Sequence, residues 1–101
     1  MTEQYGLPKK AIQALRQLFQ KHQKIQTIIL YGSRAKGTFR TGSDIDLCMV
    51  APSMSLRERL SIENEIDDLL LPWKIDLSLR HEIDSPELLA HLERVGVKIY
   101  P

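Results

Sequence analysis

The 101-residue chain reads as a small mixed α/β (α+β) domain, with helices covering a three- or four-stranded sheet. Three observations predict this. Short β-branched apolar runs alternate with stretches of helical periodicity, the helical stretches carry their own start or stop signals, and no repeat or linker divides residues 1–101 into more than one domain.

Taken in order, residues 8–23 predict a helix, with Pro8 at its start and Ala11, Ile12, Leu15, Leu18 and Phe19 at helical spacing. Residues 25–31, Ile-Gln-Thr-Ile-Ile-Leu-Tyr, suit a buried strand. Gly32 to Ser43 is rich in Gly, Ser, Thr and basic residues and reads as a loop opening with a helical turn. Residues 44–50, Asp-Ile-Asp-Leu-Cys-Met-Val, suit a second strand that Pro52 stops. Ser55-Leu-Arg-Glu58 is a capping box, so a helix opens there and runs to about Leu71, before Pro72. Trp73 to Leu79 alternates around Ile75, Leu77 and Leu79 as a third strand. Ser85-Pro86 supplies an N-cap and a first-turn proline for a helix through about Val95. Gly96 ends it, and Val97 to Tyr100 predicts a short edge strand.

Composition bounds the function. No run approaches the ~18 apolar residues of a transmembrane helix, and no basic-then-apolar leader is present, so a cytoplasmic protein is expected. A lone cysteine, Cys48, excludes an intrachain disulfide and a multi-cysteine zinc site. The net charge of +1 conceals an asymmetry. Residues 1–43 hold eight Lys/Arg against Glu3 alone, and residues 44–101 hold six Lys/Arg against twelve Asp/Glu. Such a split suits a basic surface for phosphates beside an acidic cluster for cations, and suits differing helix faces equally well. Nucleic acid is an unfavoured partner, because the basic residues are not interleaved with stacking aromatics.

Three features carry chemistry. Gly32-Ser33 falls where the first strand ends. A glycine there lets the backbone turn sharply beside a ligand, and Arg34, Lys36 and Arg40 supply positive charge nearby. The segment lacks the Gly-Lys-Ser/Thr ending of a P-loop, which excludes a Walker motif. Asp44-Ile45-Asp46 places two carboxylates on one strand face, their Cα atoms roughly 7 Å apart. Like charges so placed need water or a cation. Asp76, in Ile75-Asp-Leu77, interrupts a third apolar strand and shares the face of the pair if the two strands are neighbours. Three carboxylates then form a hard-oxygen site suited to Mg²⁺. His22, His81 and His91 show no metal-ligand spacing and read as surface or cap residues. Cys48, Tyr31 and Trp73 read as packing residues.

Gly32-Ser33, ten intervening residues, Asp44-x-Asp46 and a later strand Asp76 together resemble the nucleotidyltransferase superfamily of DNA polymerase beta and kanamycin nucleotidyltransferase. The short length and the tail through Glu87-Leu-Leu and Gly96-Val-Lys-Ile-Tyr100 look most like its minimal, MNT-type branch. The resemblance implies a nucleotidyltransferase-like mixed sheet, two Mg²⁺ ions and ATP as substrate. It implies that Asp44 and Asp46 bind both ions, that Asp76 serves the catalytic ion and helps activate an acceptor hydroxyl, and that Gly32, Ser33, Arg34 and Lys36 bind the nucleotide. Lys36 stands where many relatives have arginine, keeping the charge without the bidentate fork. The resemblance further implies a HEPN-type helical toxin as partner, neutralised by transfer of AMP to a tyrosine. The competing expectation is a non-catalytic binding module that neutralises its partner by occlusion.

Overall fold

The computed structural model describes residues 3–101. Its elements are β1 (Glu3–Gln4), β2 (Leu7–Pro8), α1 (Lys9–Gln20), β3 (Thr27–Tyr31), α2 (Gly32–Lys36), β4 (Ile45–Val50), α3 (Leu56–Asp67), β5 (Ile75–Leu79), a 3-10 turn (Arg80–Glu82), α4 (Pro86–Val95) and β6 (Val97–Tyr100). The expected helices and strands are present, and the sheet has four strands. Its order is β5-β4-β3-β6: β4 runs antiparallel to β3 and parallel to β5, and β6 closes the far side antiparallel to β3.

Strand alternation sorts the side chains into two layers. One face carries Ile28, Leu30, Ile45, Leu47, Met49, Leu77 and Leu79 and packs on Leu15, Leu18 and Phe19 of α1 and Ile62 and Ile66 of α3. The other face holds a smaller cluster of Tyr31, Cys48 and Ile29 beneath Leu88, Leu89 and Leu92 of α4. The sheet is therefore enclosed by α1 and α3 on one side and by α4 on the other. Both predicted caps form: Ser55 and Glu58 make a reciprocal capping box, and the Ser85 hydroxyl accepts from the Leu88 N–H.

Several boundaries move: the first three predicted strands begin later, at Thr27, Ile45 and Ile75, and two helices end earlier. α1 ends at Gln20, where Lys21 and His22 donate back to Leu18 and Phe19 carbonyls in tighter turns. α3 ends at Asp67 rather than near Leu71, and Leu70 takes a positive φ of 55° with its side chain exposed. The sequence reading also missed the β1–β2 hairpin. Its turn, Tyr5-Gly6, has positive φ at both residues (57° and 73°), a conformation that Asn-Gly advertises and Tyr-Gly does not. On the outer strand β6, the Ile99 carbonyl accepts from Arg16 Nε at 2.6 Å, which blunts that edge against further pairing. No helix among the described residues is long and apolar enough to cross a membrane.

Candidate active site

The end of β3, the start of β4 and the start of β5 form a row. Tyr31 pairs with Asp46, and Asp46 pairs with Asp76, so the three side chains share the α4 face of the sheet. Asp76 therefore faces the same way as Asp46, one strand spacing (about 4.8 Å) away. Asp44 stands just before β4, exposed at the lip of this row, and its charge is felt at Asp46. The carboxylates lie at the margin of α4's coverage: Asp46 is half-buried and Asp76 exposed.

Burial raises the Asp46 carboxyl above the ordinary aspartate range, and the negative charges of Asp76 and Asp44 raise it further, against a smaller opposing effect of His91. Among the described residues no lysine or arginine forms an ion pair with the group. The ion pairs among the described residues lie elsewhere, linking His22 to Glu65, Lys24 to Glu58 and Arg59 to Glu63. A half-buried carboxylate facing two others without a basic partner is the donor set a hard divalent cation fits. Among the described residues no group of three or more His, Cys, Asp or Glu side chains is placed to hold a metal ion by itself. Phosphate oxygens of a bound nucleotide would have to complete the ion's shell, as is common for Mg²⁺.

Gly32 lies directly beside this centre. Its φ is +75°, and a Cβ built on it would overlap the Asp46 Oδ2 atom. The sequence reading expected the Gly32 backbone to approach phosphate. The structure places the Gly32 N–H on His91 Nε2 at 3.0 Å instead, so the contribution of Gly32 is its missing side chain, which leaves room for Asp46. Gly32→Ala is expected to destabilise the protein by about 1–2 kcal/mol through the positive φ. Because the carboxylate end of Asp46 can swing away, the larger loss falls on activity, at least about 100-fold from the displaced group. Urea denaturation and a nucleotide-transfer assay on the same preparation read both.

The remaining predicted nucleotide contacts divide. Ser33 is half-buried on α2, and Lys36 is exposed on its last turn, both one short helix from Asp46. Arg34 does not join them. It is buried (1% exposed), its Nε and Nη2 donate to the Ser43 carbonyl at 3.2 and 2.8 Å, and its Nη1 donates to the Tyr5 carbonyl at 2.9 Å. The rings of Phe39 and Trp73 flank the guanidinium. The expected phosphate ligand is thus an internal clamp, because its planar fork satisfies two part-buried loop carbonyls at once. Burial lowers its pKa, yet a guanidinium remains charged.

Tyr31 and Cys48 lie in the layer under α4, as packing residues should. Burial raises the Tyr31 hydroxyl; a hydrogen bond with Ser78 opposes this, and the charges of Asp76 and Asp46 reinforce it. Burial also pushes the Cys48 thiol up, which leaves it a poor nucleophile. Trp73 packs against Arg34 and lines a cavity of about 390 Å³ that reaches Asp76. Among the histidines, His22 pairs with Glu65 and His81 is exposed in the 3-10 turn, whereas His91 points into the site. The available signal was its spacing: three residues after Leu88 and four before Val95, it falls on the inward face of α4.

The comparisons agree with this geometry. The family model for polymerase beta nucleotidyltransferases matches residues 13–101. A Methanocaldococcus jannaschii protein provisionally named a protein adenylyltransferase is 28% identical over 92 residues, covering 83% of this chain and 93% of that protein. Among solved structures, a chain of a toxin–antitoxin complex with AMP-PNP superposes with a TM-score of 0.70 at 26% identity, covering 92% of this chain and 73% of the other. A chain from the Shewanella oneidensis complex of tri-AMPylated HEPN toxin with MNT antitoxin superposes with a TM-score of 0.67 at 19% identity, covering 90% and 70%, which bears on the fold alone. With the carboxylate row, the glycine turn and the match to most of its length in agreement, this chain belongs to the polymerase beta nucleotidyltransferase family.

Proposed function

We propose that this chain, as one minimal domain of residues 1–101, acts in the cytoplasm as an antitoxin that transfers AMP from ATP to a tyrosine of a HEPN-type toxin. The observation that carries the reading is the in-register pair Asp46 and Asp76 beside the side-chain-free turn at Gly32. Support for the acceptor comes from its relatives: one is named for protein adenylylation, and one matched solved chain, 26% identical, comes from a toxin–antitoxin complex with AMP-PNP.

Asp44, Asp46 and Asp76 would hold two Mg²⁺ ions, which neutralise triphosphate charge when bound. Ser33 and Lys36 lie within one helical turn of each other to hold the phosphate tail, with Lys36 acting as a point charge. The acceptor hydroxyl oxygen attacks the α-phosphorus, a new P–O bond forms, and the bond to the bridging oxygen breaks to release pyrophosphate. Asp76, exposed at the outer side of the row, takes the hydroxyl proton. Leaving group and nucleophile lie on opposite sides of phosphorus, so a tail held at Ser33 and Lys36 brings the acceptor in over β5.

The test is incubation with labelled ATP, Mg²⁺ and the product of the neighbouring gene, followed by mass spectrometry. Wild type should add AMP, and an Asp44→Ala/Asp46→Ala variant should add none. No transfer by wild type, or equal transfer by the variant, would overturn the proposal. Protection of cells by the same variant would favour occlusion in place of catalysis.

A further inference from the structure

We propose that His91 is a positioning residue for nucleotidyl transfer, holding the Gly32 turn at the height that Asp46 and the Ser33 phosphate contact require. The inference rests on the transferase reading above. It concerns a residue of α4, fifty-nine positions along the chain from the turn it holds.

Three observations support it. First, the Gly32 N–H donates to His91 Nε2 at 3.0 Å in a partly buried setting. Nε2 can accept only in the neutral ring that carries its proton on Nδ1, so the contact selects one tautomer. A partly buried amide deprived of its acceptor would draw the turn into a new conformation to find another. Second, the space above the turn is already full. A single added carbon at Gly32 would overlap Asp46 Oδ2, so a small movement of Gly32 changes where that carboxylate sits. Third, the imidazole is braced: it packs edge-on against Tyr31, with ring centroids 6.0 Å apart and planes at 80°. Tyr31 is itself the β3 partner of Asp46. The ring therefore touches the residues on both sides of the bend, the last of β3 and the first of α2, and no reacting atom need touch it.

A purely structural His91 would serve only to pack α4 on Tyr31, and the two roles predict opposite orders of substitution. His91→Leu fills similar space and offers no acceptor. His91→Gln is less well packed, but its Oε1 can reach the position of Nε2. For a positioning residue, H91Q keeps turnover within about threefold of wild type, and H91L lowers kcat at least about tenfold with KM for the acceptor protein unchanged. In ¹⁵N-labelled protein without nucleotide, the Gly32 amide should exchange with D₂O at least about tenfold faster in H91L than in wild type or H91Q.

Full turnover by H91L, loss of turnover by H91Q with a native spectrum, or equal Gly32 protection in all three proteins would overturn the inference. The amide measurement needs no activity, so the two readings fail separately. An inactive wild type with a protected Gly32 would refute the transferase reading and with it the catalytic part of this one, leaving the hydrogen bond in place.

Discussion

Asp46→Asn is expected to lower nucleotidyl transfer by a factor on the order of 10³ or more, while leaving the metal-free protein at least as stable as wild type at neutral pH. The two effects have one origin. Asp46 is held half-buried beside Asp76 and Asp44, with no lysine or arginine paired to it among the described residues, so its charge is unfavourable until a cation arrives. Its carboxyl is raised above the ordinary range, by burial first. For a raised acid, the native state holds the extra proton. The stability this group contributes is fully present below the unfolded-state value and is lost as pH rises through the folded-state value. Metal-free wild type should therefore lose this component across the acid range, and the Asn variant should lack it. Urea midpoints at several pH values, without metal, measure the difference. Adding Mg²⁺ and a non-hydrolysable ATP analogue should raise the midpoint of wild type far more than that of the variant. Retained transfer in the variant would place the chemistry elsewhere, and a lower midpoint at neutral pH would mean that the carboxylate supports the fold.

Arg34→Met should destabilise the protein by about 2–4 kcal/mol, the second large effect. Three charge-assisted hydrogen bonds disappear, and the carbonyls of Tyr5 and Ser43 lose their donors. Loss of the β1–β2 turn and of the loop before β4 should follow together, because one guanidinium joins them. Arg34→Lys should recover only part of the loss, since an ammonium cannot span two carbonyls and two aromatic faces with a planar fork. Ser43 immediately precedes Asp44, so activity falls too, through misplacement of that carboxylate. Thermal melts and nucleotide titration separate this from a phosphate ligand, which would weaken ATP binding with the melting temperature unchanged. Reduced binding at an unaltered melting temperature would return Arg34 to the nucleotide.

Most of the fold and part of the site were legible in the chain, for reasons specific to particular residues. Ser55 with Glu58 and Ser85 with Pro86 announce helix starts because capping satisfies local amides with local oxygens. Alternation within 45–50 and 75–79 sets which side chains share a face, because successive strand residues point oppositely. Read over the predicted strand 44–50, the same alternation grouped Asp44 with Asp46 without any knowledge of neighbours, although β4 itself begins one residue later, at Ile45. Tyr5-Gly6 and Leu70 escaped notice because their positive φ values are imposed by surroundings and do not follow from residue preference.

Sequence by itself determined the order of elements, the paired aspartates, the turn at Gly32-Ser33 and the resemblance they carry. Tertiary structure decided the rest. The parallel pairing of β4 with β5 brought Asp76 beside Asp46, enclosure by Tyr5, Ser43, Phe39 and Trp73 took Arg34 away from the surface, and α4 brought His91 to Gly32. The physical reason is range. Caps, turns and alternation act over a few bonds, whereas strand partners and hydrogen-bond acceptors from distant segments depend on how the whole chain packs.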